Sequence, residues 1–183
     1  MDVLDIIKKR KARKAFSSIA VEQQKVEAMV EAFRWAPSSR NNQPWKIIVV
    51  NDRKVLDKLF YAFSPGNQLW VANVPLFFVI ISKSDLDDIK EQKEYYLFDC
   101  GLATENVLLT ATSLGILSNP MIGWEEDKVK EMLDIPDDYK VIVLIALGYE
   151  GDAGKLHNET TIKDQRIRVR KDAKEFVFYN KYQ

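Results

Sequence analysis

Ala36-Pro37-Ser38-Ser39-Arg40-Asn41-Asn42-Gln43-Pro44-Trp45 joins an amphipathic stretch to an apolar one, and its two prolines fix where the first ends and the second begins. Pro37 drives Ala36 out of the helical region and so closes the run before it. Pro44 stiffens the entry to Trp45-Lys46-Ile47-Ile48-Val49-Val50, whose β-branched composition is that of a buried strand. Between the prolines stand two hydroxyls and three carboxamides, more donors and acceptors than one turn needs for its own closure. A well-capped connection uses some of them, and a loop that holds a polar ligand uses the rest.

Upstream, Val26, Met29, Val30 and Phe33 recur at helical spacing, with Ser17 or Ser18 available as the N-cap. Before them Val3, Leu4, Ile6 and Ile7 give a short amphipathic helix that runs into a basic cluster. Downstream the pattern predicts a strand over 47–50, a helix over 55–63, a polar turn at Gly66-Asn67-Gln68 and a second buried strand over 74–81. Residues 95–114 form a long helix that is apolar nearly all round, with Gly101, Ala103, Thr104 and Ala111 interspersed. Such a helix must be covered on every side, either by the core of one chain or by a second subunit. A loop over 119–123, a helix over 125–133 and a third strand over 141–149 follow. From Glu150 the chain turns polar, and 151–183 reads as an extended arm with an aromatic end, Phe176-Val177-Phe178-Tyr179. Without regular βαβ alternation, the class is α+β, a mixed, largely antiparallel central sheet flanked by helices. A chain of 183 residues buries roughly 70% of its extended surface, so one domain spanning 1–183 is expected.

Composition narrows the chemistry. No apolar stretch approaches the ~20 residues of a membrane-spanning helix, and the first turns are charged, so a cytoplasmic protein without a membrane partner is expected. The single cysteine, Cys100, forms no internal disulfide. One histidine, His157, cannot build a metal centre with Cys100, and no Gly-x-Ser-x-Gly elbow offers it a nucleophile. Neither a Gly-x-Gly-x-x-Gly motif nor a P-loop is present; Gly151-Asp152-Ala153-Gly154-Lys155 has the wrong spacing. Lys and Arg balance Asp and Glu at 27 each, which argues against general nucleic-acid binding. The charges are nonetheless uneven, with Lys8 to Lys14 basic at one end and Arg166, Arg168, Arg170 and Lys171 at the other. Two such clusters are solvated faces, nucleic-acid patches, or two halves of one phosphate site.

Pro37-Ser38-Ser39-x-Asn41-x-Gln43-Pro44-Trp45 between a helix and an apolar strand resembles the signature loop of the nitroreductase family of FMN-dependent oxidoreductases, and further motifs occur in order from Lys9 to Tyr182. The resemblance implies an α+β homodimer whose long central helices form the interface and whose C-terminal arms wrap the partner. It implies FMN as cofactor and NAD(P)H as co-substrate, with a small electron-poor acceptor such as a nitroaromatic or a quinone. Lys9-Arg10-Lys11-Ala12-Arg13-Lys14-Ala15-Phe16 resembles the family's N-terminal phosphate motif. Arg10 and Lys11 stand as its basic pair, Lys14 as the following cation, and Ala12 where a serine is usual. Arg13 either compensates for that hydroxyl or points to solvent. Arg168 and Arg170 resemble the C-terminal half of the phosphate site. Asn67, with Gln68 beside it, matches the asparagine at the flavin's pyrimidine edge, where an amide can donate and accept at once. A lysine usual shortly after it is replaced near Trp70, and its role passes to Lys14 or Arg10 or is weakened. Pro37, Ser38, Ser39 and Asn41 would reach the ribityl chain and ring from the partner subunit. Pro120-Met121-Ile122-Gly123 resembles the loop whose backbone N–H groups point at flavin N5 and O4. No catalytic side chain is named, because the cofactor carries the chemistry. Other enzymes on this scaffold, such as dehydrogenases, dehalogenases and flavin-cleaving forms, and a non-catalytic FMN-binding protein are the alternatives.

Overall fold

A computed structural model describes residues 2–182. Helix α1 (Val3–Lys9) buries no side chain and closes where the Arg10 N–H donates to the Ile6 carbonyl. Helix α2 (Gln23–Arg34) buries the expected Val26, Met29 and Phe33. Its N-cap is Glu22, not Ser17 or Ser18. Backbone pairing holds the serine segment extended: Phe16 bridges Glu150, the Ser17 N–H donates to Tyr149, and the Gly151 N–H donates to Ala15. At Gly151 any Cβ would lie 2.5 Å from the Phe16 backbone, so only glycine permits that approach.

Strand β1 (Lys46–Val50) leads to α3 (Arg53–Leu59), capped by the Asp52 carboxylate on the Lys54 and Val55 N–H groups. The helix ends at Leu59 and tightens into a 3-10 turn, Phe60–Ala62, short of the expected 63. Gly66, Asn67 and Gln68 lie inside helix α4 (Pro65–Val71), where a turn was expected. Proline at its first position presets the helical φ, and tertiary bonds described below override the poor propensity of Gly66 and Asn67. Strand β2 (Leu76–Ser82) is buried along its whole length and starts after Pro75, which has no N–H to give a ladder. A 3-10 turn, Ser84–Leu86, and a small hairpin of β3 (Ile89–Lys90) and β4 (Lys93–Glu94) lead into α5 (Tyr95–Ser113). Next comes β5 (Leu117–Met121), which takes in Asn119, Pro120 and Met121 from the expected loop and leaves Ile122 and Gly123 outside the strand. Helix α6 (Glu126–Met132) and strand β6 (Lys140–Gly148) complete the body. The arm is not extended throughout, for Asn158–Gln165 forms helix α7.

The main sheet runs β1-β2-β6-β5, and every ladder in it is antiparallel. The one parallel pairing among the described residues is an isolated bridge between Ala12 and Ser118. Pro120 is tolerated because β5 is an edge strand. Alternate residues of β2 enter two apolar clusters, Phe77, Val79 and Ile81 toward α3 and α4, and Leu76, Phe78 and Ile80 toward α2 and α5. Helix α5 buries Tyr96, Cys100, Ala103 and Val107, whereas Leu97 and Phe98 stay exposed, so one chain covers only part of its surface. Burial pushes the Cys100 thiol up to about 12, which leaves it a neutral packing group. No helix among the described residues is long and apolar enough to cross a membrane.

Candidate functional site

Three segments converge on Asn67. Its Nδ2 donates to the Ile122 carbonyl at 2.7 Å and the Gly123 carbonyl at 3.0 Å, and its Oδ1 accepts from Trp70 Nε1 at 3.2 Å. Both N–H groups of the amide are therefore engaged. The polar capacity left open at Asn67 is the remaining lone pair of Oδ1. Gly123 has φ +96°, and a Cβ there would lie 2.8 Å from Ser64 Oγ and 3.0 Å from Asn67 Nδ2, so a side chain at 123 would break the junction. The Ser64 N–H donates to the Gly123 carbonyl at 2.9 Å and draws the start of α4 onto the same loop. Among the described residues, neither the Ile122 nor the Gly123 N–H has an acceptor, and Ile122 is exposed. Two adjacent backbone donors thus point away from the protein's own bonds. Gln68 turns elsewhere, donating to the Phe60 carbonyl at 3.3 Å.

Trp70 links this junction to the basic segment. Its ring stacks on Phe16 at 6.0 Å, and Lys14 Nζ lies 5.7 Å from the ring centre. Burial, with Lys163 nearby, lowers the pKa of the Lys14 ammonium, so its surroundings favour an anionic occupant. Lys14 lines a cavity of about 270 Å³ with Trp70, Ser17, Asn73 and Lys155. Lys11 lies instead with Lys9, Arg13 and Ser118 around a separate cavity of about 350 Å³. Arg10 lines neither of these two cavities.

Arg13 does not point to solvent, nor is it free to replace a hydroxyl. Its Nε bonds Asp164 Oδ2 at 3.0 Å, its Nη2 bonds Glu150 Oε1 at 2.9 Å, and its carbonyl accepts from Asn119 Nδ2 at 2.8 Å. The other Asp164 oxygen accepts the Lys14 N–H. Beside Ala12 lies Ser118, whose buried hydroxyl has no partner. From the arm, the Arg168 guanidinium donates to the Lys8 and Arg10 carbonyls, which joins the two basic ends of the chain. Arg170 is exposed and among the described residues bonds only the Val169 carbonyl, so the structure brings one of the two arm arginines to the N-terminal segment.

The 36–45 loop is set apart. Arg40 and Asn41 in a 3-10 turn, Ser39–Asn41, and Gln43 beyond it have positive φ values of 48°, 60° and 49°. Ser38 Oγ accepts the Gln43 N–H at 2.9 Å, the Ser39 N–H donates to Asp99, and Ser39 Oγ donates to Asp88 at 2.7 Å. The loop adjoins β1, whereas Ile122 and Gly123 adjoin β5 at the opposite sheet edge, three strand spacings or roughly 14 Å away. No hydrogen bond joins it to the Asn67 junction among the described residues. The sequence pattern missed Asp164, Asp99 and Ser118. Asp164 and Thr160, buried at an i, i+4 spacing in a polar helix, left no apolar stripe to mark them.

Comparison with known proteins gives this geometry a relationship. The model of the nitroreductase family matches residues 7–69 and 61–149. A protein of Archaeoglobus fulgidus named as an NADH dehydrogenase/NAD(P)H nitroreductase is 34% identical over 155 residues, covering 82% of this chain and 87% of the relative. The crystal structure of a nitroreductase family protein from Clostridium novyi NT superposes with a TM-score of 0.76 at 32% identity, over 82% of this chain and 87% of that one. A solved oxidoreductase containing FMN superposes with a TM-score of 0.86 at 25% identity, over all of this chain and 93% of the other. The chain belongs to the nitroreductase family.

Proposed function

We propose that this protein is an NAD(P)H-dependent FMN oxidoreductase that works as a homodimer and reduces small electron-poor acceptors such as nitroaromatics or quinones. The observation that carries the proposal is the Asn67 junction: two unbonded backbone N–H groups at Ile122 and Gly123, an amide oxygen beside them, and a partly buried lysine over Trp70. These donors fit the group on chemical grounds. FMN offers an imide N–H for Asn67 Oδ1, ring acceptors for the backbone N–H pair, and a negative charge for Lys14, Arg10 and Arg168. Ser118 supplies a hydroxyl beside Ala12. The 36–45 loop of one subunit would serve the flavin of the other, which accounts for its separation from the Asn67 junction within one chain. Leu97 and Phe98 on α5, and the apolar side chains of the arm, would then be covered by the partner. When bound, FMN supplies hydride acceptance and release at N5. The chain's own part is positional: fixed backbone donors add no titrating group, and Lys14 favours negative charge next to Trp70.

The visible spectrum of freshly purified protein tests this directly. A flavin band that bleaches anaerobically with NADH or NADPH, and returns when a quinone is added, is expected. A band that neither pyridine nucleotide bleaches would reduce the protein to a flavin carrier. Replacing Asn67 with leucine removes three hydrogen bonds at once, so FMN should bind at least tenfold more weakly. Equal dissociation constants for variant and parent, measured by fluorescence quenching, would remove Asn67 from the site.

A further inference from the structure

The cavity of about 270 Å³ that Lys14 lines has a largely polar wall whose donors lack acceptors. Among the described residues neither Lys14 Nζ nor Lys155 Nζ enters an ion pair or a hydrogen bond with the protein, and the Ser18 hydroxyl and the Asn73 carboxamide bond nothing either. Four donor groups therefore line one space unused. Asp152 is the single acid of that wall, and its carboxylate accepts the Gly154 N–H at 2.8 Å, which caps the 3-10 turn Ala153–Lys155. Two ammoniums against one carboxylate leave the wall net positive. Burial, and after it Lys163, lowers the Lys14 pKa, a field that a bound anion would relieve.

Tertiary contacts assemble this wall from separate stretches of chain. Phe16 bridges Glu150, and Gly151 packs on the Phe16 backbone, which brings 14–18 against 151–155, while Asn73 follows α4. Trp70 belongs both to this wall and to the Asn67 junction, since its Nε1 donates to the amide whose Nδ2 reaches the Ile122 carbonyl. The cavity thus begins one side chain away from the loop assigned to the flavin. That junction uses none of Ser18, Asn73 and Lys155, so their donors are left for a second ligand. A pyridine nucleotide that lays its nicotinamide on a flavin must carry its ribose and phosphates away from the ring.

We propose that the cavity takes a phosphate group of the pyridine nucleotide, with Lys14 and Lys155 as its cations and Ser18 and Asn73 as its neutral donors. This step rests on the flavin reading given above, and it gives the co-substrate a place that the Asn67 junction does not. A phosphate suits the wall because its charge is spread over several oxygens that meet several donors at once, where a carboxylate presents two. NADPH offers a 2′-phosphate there, and both pyridine nucleotides offer the pyrophosphate.

The full-length protein carrying Lys155→Ala or Lys155→Glu reads the site, since Lys155 is exposed and holds none of the bonds at Asn67. Titration calorimetry with 2′,5′-ADP and with ADP measures the cavity without redox chemistry, and anaerobic reduction by NADPH and by NADH measures it with the flavin in place. K155A should weaken binding about tenfold and K155E more, with kcat/KM falling in step. A loss confined to 2′,5′-ADP and NADPH gives the cavity the 2′-phosphate, and an equal loss for ADP and NADH gives it the pyrophosphate. Binding of both nucleotides within about twofold of the parent in K155A and K155E, or no binding of either by the parent, would overturn the proposal. If the purified protein holds no FMN and takes up none, the flavin reading fails, and calorimetry alone still decides the cavity.

Discussion

Cut after Gln165, the protein should keep its sheet and lose the flavin colour expected of it. That truncation leaves α7 whole, so Asp164 still holds Arg13 and the Lys14 N–H. It removes Arg168, whose guanidinium bonds the Lys8 and Arg10 carbonyls, and an arm in which Ile167, Val169, Tyr179 and Tyr182 are each at least 80% exposed in a single chain. Those side chains bury almost nothing within the chain that carries them, so the single chain should still fold, its midpoint falling by what bound FMN and the proposed dimer contributed. Binding is another matter. Charge-assisted bonds to an anion contribute ~1.5 to 3 kcal/mol each, and loss of the arm's cations should weaken FMN retention by at least a hundredfold. Without the arm's apolar surface the proposed dimer should also dissociate. Absorbance at the flavin band and sedimentation velocity check both parts, and a stable yellow dimer would refute the role given to the arm.

Alanine at Asp164 should do the reverse, damaging stability first and binding as a consequence. This carboxylate is fully buried and ties the polar helix α7 to the basic segment through Arg13 Nε at 3.0 Å and the Lys14 N–H. Removing it leaves a largely buried guanidinium with only the exposed Glu150, and an amide with no acceptor. Breaking such a pair costs about 3 kcal/mol, which for a chain of this size lowers the midpoint by about 6 to 12 °C. Lys14 also loses a charge that favours its ammonium form, so FMN affinity should fall at alkaline pH more than at neutral pH. Calorimetry and titrations at two pH values measure the two effects. A midpoint within two degrees of the parent would show that α7 is held by other contacts.

The elements that periodicity marks are the ones the structure contains: α2 by Val26, Met29 and Phe33, α5 by its long apolar run, and β1, β2 and β6 by their β-branched residues. Local rules failed where long-range bonds decide. Gly66-Asn67-Gln68 carries turn chemistry, yet Asn67 is fixed by the carbonyls of Ile122 and Gly123, 55 and 56 residues away, and a helix satisfies that geometry. Asn119-Pro120 also reads as a loop. Only the sheet order, which puts β5 on an edge, makes a proline acceptable there.

Of the site, the 36–45 loop stood out because its polar side chains exceed what a turn needs. What fixes that loop did not, since Asp87, Asp88 and Asp99 read as ordinary surface acids until the fold draws them together beneath Ser39. Trp70 was recognised only as a lysine missing from a pattern. Its bond to Asn67 and its place under Lys14 exist in three dimensions alone.

The two borders of the sheet differ in kind. Along β5 the Ala12 bridge takes up the first half and Pro120, lacking an N–H, blocks the second, whereas the outer side of β1 has no backbone partner among the described residues. Among the described residues this sheet therefore offers one border, the outer side of β1, where another strand could add, and its other border is closed to such addition.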